Sequence, residues 1–172
     1  RIAFNTVDRF EPARTAEVCC WCPTCAKQFG EIVLPAFTHA TGAKIEDTAM
    51  FPVFLLRHMA ALRPLLVNRV ARRVALHEHP GLAGVDEAVR KLLEAIPGLE
   101  FVDLGAQRLG SMCSDFGQVP EIRNDAVARL GAAAREAGVD TLAGIYHACH
   151  RELCSHQRDW PFEVVNFMEL IG

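Results

Sequence analysis

The sequence predicts an α/β protein, a mainly parallel sheet flanked by helices and built from two pseudo-repeated βα units. Two observations lead there. Short apolar, β-favouring runs recur along the chain, each followed by a helical pattern. In addition, EVCCWCPTCAKQFG and LAGIYHACHRELCS share one plan, an apolar strand running into a Cys/His-rich turn and then a helix. Strand and helix alternating in this way set parallel strands side by side with crossover helices on the faces.

The expected strands are Glu17 to Cys22, Arg73 to His77, Leu99 to Leu104, Thr141 to Tyr146 and Phe162 to Phe167. Between them the apolar spacing predicts helices over Asp86 to Ala95, stopped by Pro97-Gly98, and Asn124 to Ala137, stopped by Gly138. Residues 1–43 read as the C-terminal part of a first cysteine-rich repeat, 44–72 as a helical bridge and 73–172 as a second repeat, together one compact unit. In parallel sheets, ligands gather at the carboxyl ends of the strands. Cys22 and Cys25 follow the first run and His77 and His79 the second. Cys113 follows the third, and His147, Cys149 and His150 the fourth. One sheet edge is therefore expected to collect most of these side chains.

With 172 residues, 51% hydrophobic and 23% charged, the chain can bury a core without disulfides. A net charge of −3 with interspersed signs, and only 8% aromatics, argues against a nucleic-acid partner. The apolar stretch from Ala49 to Leu66 is interrupted by Pro52, Arg57, His58, Arg63 and Pro64, too polar for a membrane span. It reads as a buried or partner-covered helix, which points to work within a larger assembly. The start at Arg1, with no charged-then-apolar leader, suggests a piece of a longer cytoplasmic protein.

Seven cysteines, four of them crowded into CCWCPTC, suit metal ligation or thiol redox chemistry better than a disulfide framework. Cys22-Pro23-Thr24-Cys25 at a strand-to-helix junction puts two sulfurs on one side of a turn, where helix amides favour thiolate. Such a pair can bind zinc or iron or form a redox disulfide, and the plain alternative is two inert, half-buried thiols. Cys19 and Cys20 lie within the strand, as ligands or as small buried hydrophobes. VALHEHPG ends a strand with His77 and His79 on one face, either a ligand or a hydrogen-bonding residue. Cys113 sits in a short polar turn, SMCSDFG. His147, Cys149, His150 and Cys154 offer up to four N or S donors, with His150 and Cys154 on one helix face.

These motifs resemble the cysteine-rich domain of heterodisulfide reductases, of glycolate and lactate oxidase iron–sulfur subunits, and of related succinate dehydrogenase subunits. That family repeats a strand like VALHDPC, a middle motif like CCGxGG and a closing turn like TACPxC before a helix. CWCPTC resembles the closing turn of a first repeat, whose opening part would precede Arg1. VALHEHPG resembles the opening strand of a second repeat, MCSDFG its middle motif, HACHRE its closing turn and FEVVNFMELIG the terminal strand and helix. The likeness spans nearly the whole chain. It departs at Pro80, where the opening Cys would fall, at Met112, in place of the first Cys of the pair, and at Glu152, in the place of the last cysteine.

The resemblance implies an iron–sulfur electron-transfer subunit of an oxidoreductase complex, with 4Fe-4S-type ligation by Cys22 and Cys25 at a first site and by Cys113 and Cys149 at a second. Missing ligands would come from a portion preceding Arg1 for the first site, and from His79, His150 or Cys154 for the second. It also implies ferredoxin-like or flavoprotein partner subunits, and association with a membrane-bound partner rather than a span. Two other readings stand beside it, a zinc-binding structural module and a CxxC thiol–disulfide oxidoreductase. No dinucleotide fingerprint, phosphate loop or Ser/His/Asp set is present.

Overall fold

The computed structural model describes residue 5 and residues 18–42, 48–79, 84–105, 116 and 118–172. The chain divides into two compact units, Arg1–Phe54 and Leu55–Gly172. The fold is α/β, and every described strand pair is parallel.

In the first unit, β1 (Val18–Cys20) leads through Trp21 and Cys22 into α1 (Pro23–Gln28). Pro23 suits the first helical position, where its missing N–H would have had no partner anyway. A π-turn over Phe29–Val33 widens the helix before α2 (Leu34–Thr41). There the Leu34 N–H reaches back to the Phe29 carbonyl, just ahead of Pro35, which has no N–H to give. Gly42, at φ 72°, ends α2 in the left-handed conformation that glycine adopts without a Cβ penalty. The chain then returns as β2 (Thr48–Met50), which pairs with β1 so that Cys19 lies opposite Ala49 and Cys20 opposite Met50. Phe51, which opens α3 (Phe51–Arg57), packs its ring 5.6 Å from that of Trp21.

The second unit continues through α4 (Met59–Leu62) and a 3-10 turn, Arg63–Leu65, into a four-stranded sheet. Its strands are β3 (Arg73–His77), β4 (Glu100–Val102), β5 (Thr141–Gly144) and β6 (Glu163–Asn166), in spatial order β4-β3-β5-β6. The helices are α5 (Val85–Glu94), α6 (Pro120–Glu136), α7 (His147–Cys154) and α8 (Phe167–Ile171). α5 buries Val85, Ala88, Val89, Leu92 and Leu93, the i, i+3, i+4, i+7, i+8 stripe of an amphipathic helix. Val74, Ala75, Leu142 and Ala143 are closed off from solvent, as expected of parallel strands covered on both faces.

Polar groups pin the amino ends of these strands. Asp140 accepts from the Arg73 N–H at 3.0 Å and from the Thr141 hydroxyl at 2.9 Å. Arg72 donates to the same hydroxyl at 3.2 Å and pairs with Glu163, while Arg73 pairs with Glu100 at 3.2 Å. At the other end of the sheet, Asn166 and Glu169 form a capping box that starts α8, and the Asn166 amide also donates to the Ile145 carbonyl at 3.1 Å.

Three expectations change. The parallel strands form two sheets rather than one, so the cysteines of β1 and the histidines at and after the ends of β3 and β5 do not share a single sheet edge. The expected helical bridge contains a strand, β2. Three residues are too few for a periodic signal, and the strand exists because β1 offers an edge. Finally, α6 starts at Pro120 rather than near Asn124, because proline fits the first turn.

Trp160 supplies a test of the packing. Its indole stacks with His156 and with Phe162, with centroids at 5.8 and 5.0 Å, and a Cβ placed on Gly131 of α6 would collide with it. Gly131→Ala would gain about 1 kcal/mol of helix propensity. Overpacking against a ring stacked with two others outweighs it, at about 1–3 kcal/mol. A net loss of stability in urea unfolding is expected, and an unchanged or raised midpoint would contradict this packing.

Candidate functional site

The first unit brings four expected site residues into one strand–turn–helix. Cys19 and Cys20 lie in β1, the former exposed and the latter half-buried, and Cys22 and Cys25 bracket the start of α1. None of the four is joined in a disulfide. Cys22 is the N-cap, with extended backbone at φ −87° and ψ 125°, and its Sγ accepts the Cys25 N–H at 3.4 Å. Sulfur here does what a serine oxygen does at most helix starts.

That geometry separates the thiols chemically. The Cys25 backbone N–H, followed by the Cys25 thiol and by Thr24, stabilises charge on Cys22 and lowers its pKa below the ordinary thiol value. Cys25 moves the opposite way, because its thiol donates to Cys22 and then faces the charge there. Cys20 is raised by burial and, secondarily, by Cys22. Of the two sulfurs, Cys22 therefore loses its proton before Cys25 does. A soft thiolate with a second thiol one helical turn on, and a third within electrostatic range, is a donor set chemically suited to iron or zinc. Among the described residues, however, no three Cys, His, Asp or Glu side chains converge on a single point.

In the second unit the order β4-β3-β5-β6 makes the chain reverse its direction of travel across the sheet between β3 and β5. The crevice beyond their carboxyl ends is where ligands bind in such sheets. His77 ends β3 opposite Gly144 of β5. His79, 5% exposed, meets Tyr146 edge-on at 4.8 Å, and its backbone N–H donates to Asp86 of α5 at 3.1 Å. Asp86 also places an acidic group in the first turn of that helix, where the dipole favours it.

The remaining candidates fall on α7. Cys149 is 3% exposed, in the helix rather than in the turn. His150 is half-buried, and its N–H closes the first helical ring onto the Tyr146 carbonyl at 2.9 Å. Cys154 is exposed at the helix end, and partial burial followed by the Glu169 charge keeps its proton on. Cys113 lies outside the described residues, as do Pro80 and Met112.

The two strand–turn–helix segments share their local build. Tyr146, the N-cap of α7, is extended like Cys22, at φ −108° and ψ 150°. Matched on their caps, Cys149 corresponds to Cys25 and Tyr146 to Cys22. The second turn thus has a phenol where the first has a thiolate. Glu152, expected at the last cysteine's place, lies one helical turn further on and pairs with Arg123 at 3.1 Å, with His156 at 4.0 Å. The roles of Tyr146, Asp86 and Arg123 were not read from the sequence. Only Tyr146 carried a signal, as an aromatic ending a strand before a Cys/His turn.

Among the described residues no helix is long and apolar enough to cross a membrane. Compared with known protein families, curated proteins and solved structures, the chain matches none.

The inequality of the thiols is measurable in reduced, metal-free protein. Thiolate is the reactive form, so a lowered pKa preserves reactivity at pH values where other thiols are silent. Iodoacetamide is expected to label Cys22 ahead of Cys25 and Cys154 at neutral pH. The advantage should shrink only at a pH high enough to ionise the raised Cys25 and Cys154 thiols, above the ordinary thiol range. Fragment-ion mass spectra assign the label. Equal rates at neutral pH, or Cys25 reacting first, would contradict the lowered Cys22 and raised Cys25.

Proposed function

We propose that this chain is an iron–sulfur electron-transfer module of the heterodisulfide reductase type, with Cys22 and Cys25 as cluster ligands. The observation that carries the reading is the hydrogen-bonded Cys22–Cys25 pair at the start of α1, with Cys20 close enough to feel its charge. When bound, a cluster supplies one-electron storage at a potential set by its ligands, nearby hydrogen bonds and exposure. The chain's own groups do the rest. The Cys25 N–H donates to Cys22 Sγ and withdraws charge from it, Pro23 fixes the turn, and β1–β2 pairing holds Cys19 and Cys20 beside it.

Further ligands to this turn are proposed from Cys19 and Cys20. Cys113 and Cys149, with His79, His150 or Cys154, are candidates for a separate second site, as the resemblance implies. The working environment is the reducing cytoplasm, where thiols stay available for metal. The partners are ferredoxin-like or flavoprotein subunits of a complex. Zinc suits the same thiolate donors. A second reading, thiol–disulfide exchange, is favoured by the same inequality of Cys22 and Cys25, since an attacking thiolate beside a resolving thiol is what that chemistry needs.

Anaerobic purification, a visible spectrum and metal analysis separate these readings. Broad visible absorption with iron supports the cluster, colourless zinc protein a structural site, and metal-free protein with a reducible Cys22–Cys25 bond the exchange enzyme. Cys22→Ser and Cys25→Ser exchange a thiolate for a hard hydroxyl of high pKa and are expected to lower iron per chain at least about tenfold. Serine is itself a good N-cap, so α1 should survive Cys22→Ser. Cys154→Ser should lower the loading much less. Equal metal in all the variants and the parent would end the claim that this turn is a metal site.

A further inference from the structure

The two most exposed large aliphatic side chains among the described residues lie together, far along the chain from the thiol turn. Leu65 is 72% exposed and Val67 75%, while Leu66 between them is 9% exposed and anchors the turn. The turn is fixed from behind. Leu66 N–H donates to the Arg63 carbonyl at 3.2 Å, Val67 N–H to the Leu65 carbonyl at 2.9 Å, and Val70 N–H to the Pro97 carbonyl at 2.9 Å. The Arg69 side chain lies close over Gly98, where any Cβ would strike it. Two aliphatic groups are therefore held outward on a rigid base, an arrangement that gains nothing in water.

The charge along this stretch of chain is one-sided. Between Asp47 and Glu78 the chain carries Arg57, Arg63, Arg69, Arg72 and Arg73 and no acidic residue, although the chain as a whole is at −3. Arg72 and Arg73 are engaged by Glu163 and Glu100. Arg63 and Arg69 flank the exposed pair, are themselves exposed, and have no ionic partner among the described residues.

We propose that the Arg63–Arg69 turn docks the protein on an anionic lipid surface, Leu65 and Val67 entering the headgroup layer and Arg63 and Arg69 meeting the lipid charges. Protruding aliphatic tips flanked by cations match a surface that is anionic on top and apolar just beneath, which is the chemistry of a leaflet rich in acidic lipid. The attachment is peripheral and needs no spanning helix. It is independent of any cluster at the thiol turn.

The test is co-sedimentation of the full chain with phosphatidylcholine vesicles, with and without about a quarter phosphatidylserine, at low salt and at about 0.5 M, where exposed charges are screened. Binding is expected only with phosphatidylserine and is expected to weaken in salt. Arg63→Gln and Arg69→Gln should each weaken it about fivefold, the usual contribution of one basic residue at such a surface. The Leu65→Asn/Val67→Asn double variant should abolish binding with its unfolding midpoint unchanged, since both side chains are already in water. Ile122→Asn, at an exposed aliphatic on α6, should bind as the parent does. No binding to either vesicle, equal binding to both, or parental binding by the double variant would overturn the proposal. So would a dimer in light scattering that the double variant abolishes while vesicles bind neither form, an outcome that assigns the face to a second copy of the chain.

Discussion

The second unit depends on one strand being paired on both sides. β3 hydrogen-bonds to β4 along one edge and to β5 along the other, and Val74 and Ala75 are shut off from water by the helices above and below. A strand in that position satisfies its backbone entirely through its neighbours, so it can be wholly apolar, and Val-Ala-Leu is. Because the chain adds β4 on one side and then crosses back to add β5 on the other, a crevice must open past His77 and Gly144. The Arg72, Asp140, Thr141 and Glu163 contacts fix the opposite ends of the strands. The sheet is thereby tied down at its amino edge, and its carboxyl edge is left to loops and helix starts.

The same local device appears twice, with different chemistry in each copy. A strand enters an extended N-cap residue and then a helix, in the first unit with cysteines at the cap and at the third helical position. In the second, tyrosine caps the helix and only the later cysteine is kept, buried in α7. The first copy concentrates charge on one sulfur because a backbone N–H points at it. The second packs Tyr146 against His79, and Glu152 is held by Arg123. A shared backbone plan thus carries a thiol centre in one unit and a close-packed aromatic and ion-pair arrangement in the other.

The sequence by itself determined the elements whose signals are local. Arg73 to His77 was legible to the residue because a run of apolar and β-branched side chains ending in polar ones needs no partner to be recognised. The stripe of α5 was legible because 3.6-residue periodicity is a property of the segment alone. The thiol turn was legible as well, since Cys-Pro-Thr-Cys after an apolar strand already implies a proline-started helix with sulfur at its cap. Tertiary structure decided what depends on pairing. Thr48–Met50 becomes a strand only beside β1, and nothing local divides the strands between two sheets rather than one. Cys149 lies in the core because α7 begins two residues before it and turns that position inward. Cap geometry also separated Cys22 from Cys25, because the sequence places two equivalent thiols in a turn and only the folded backbone aims its N–H at one of them.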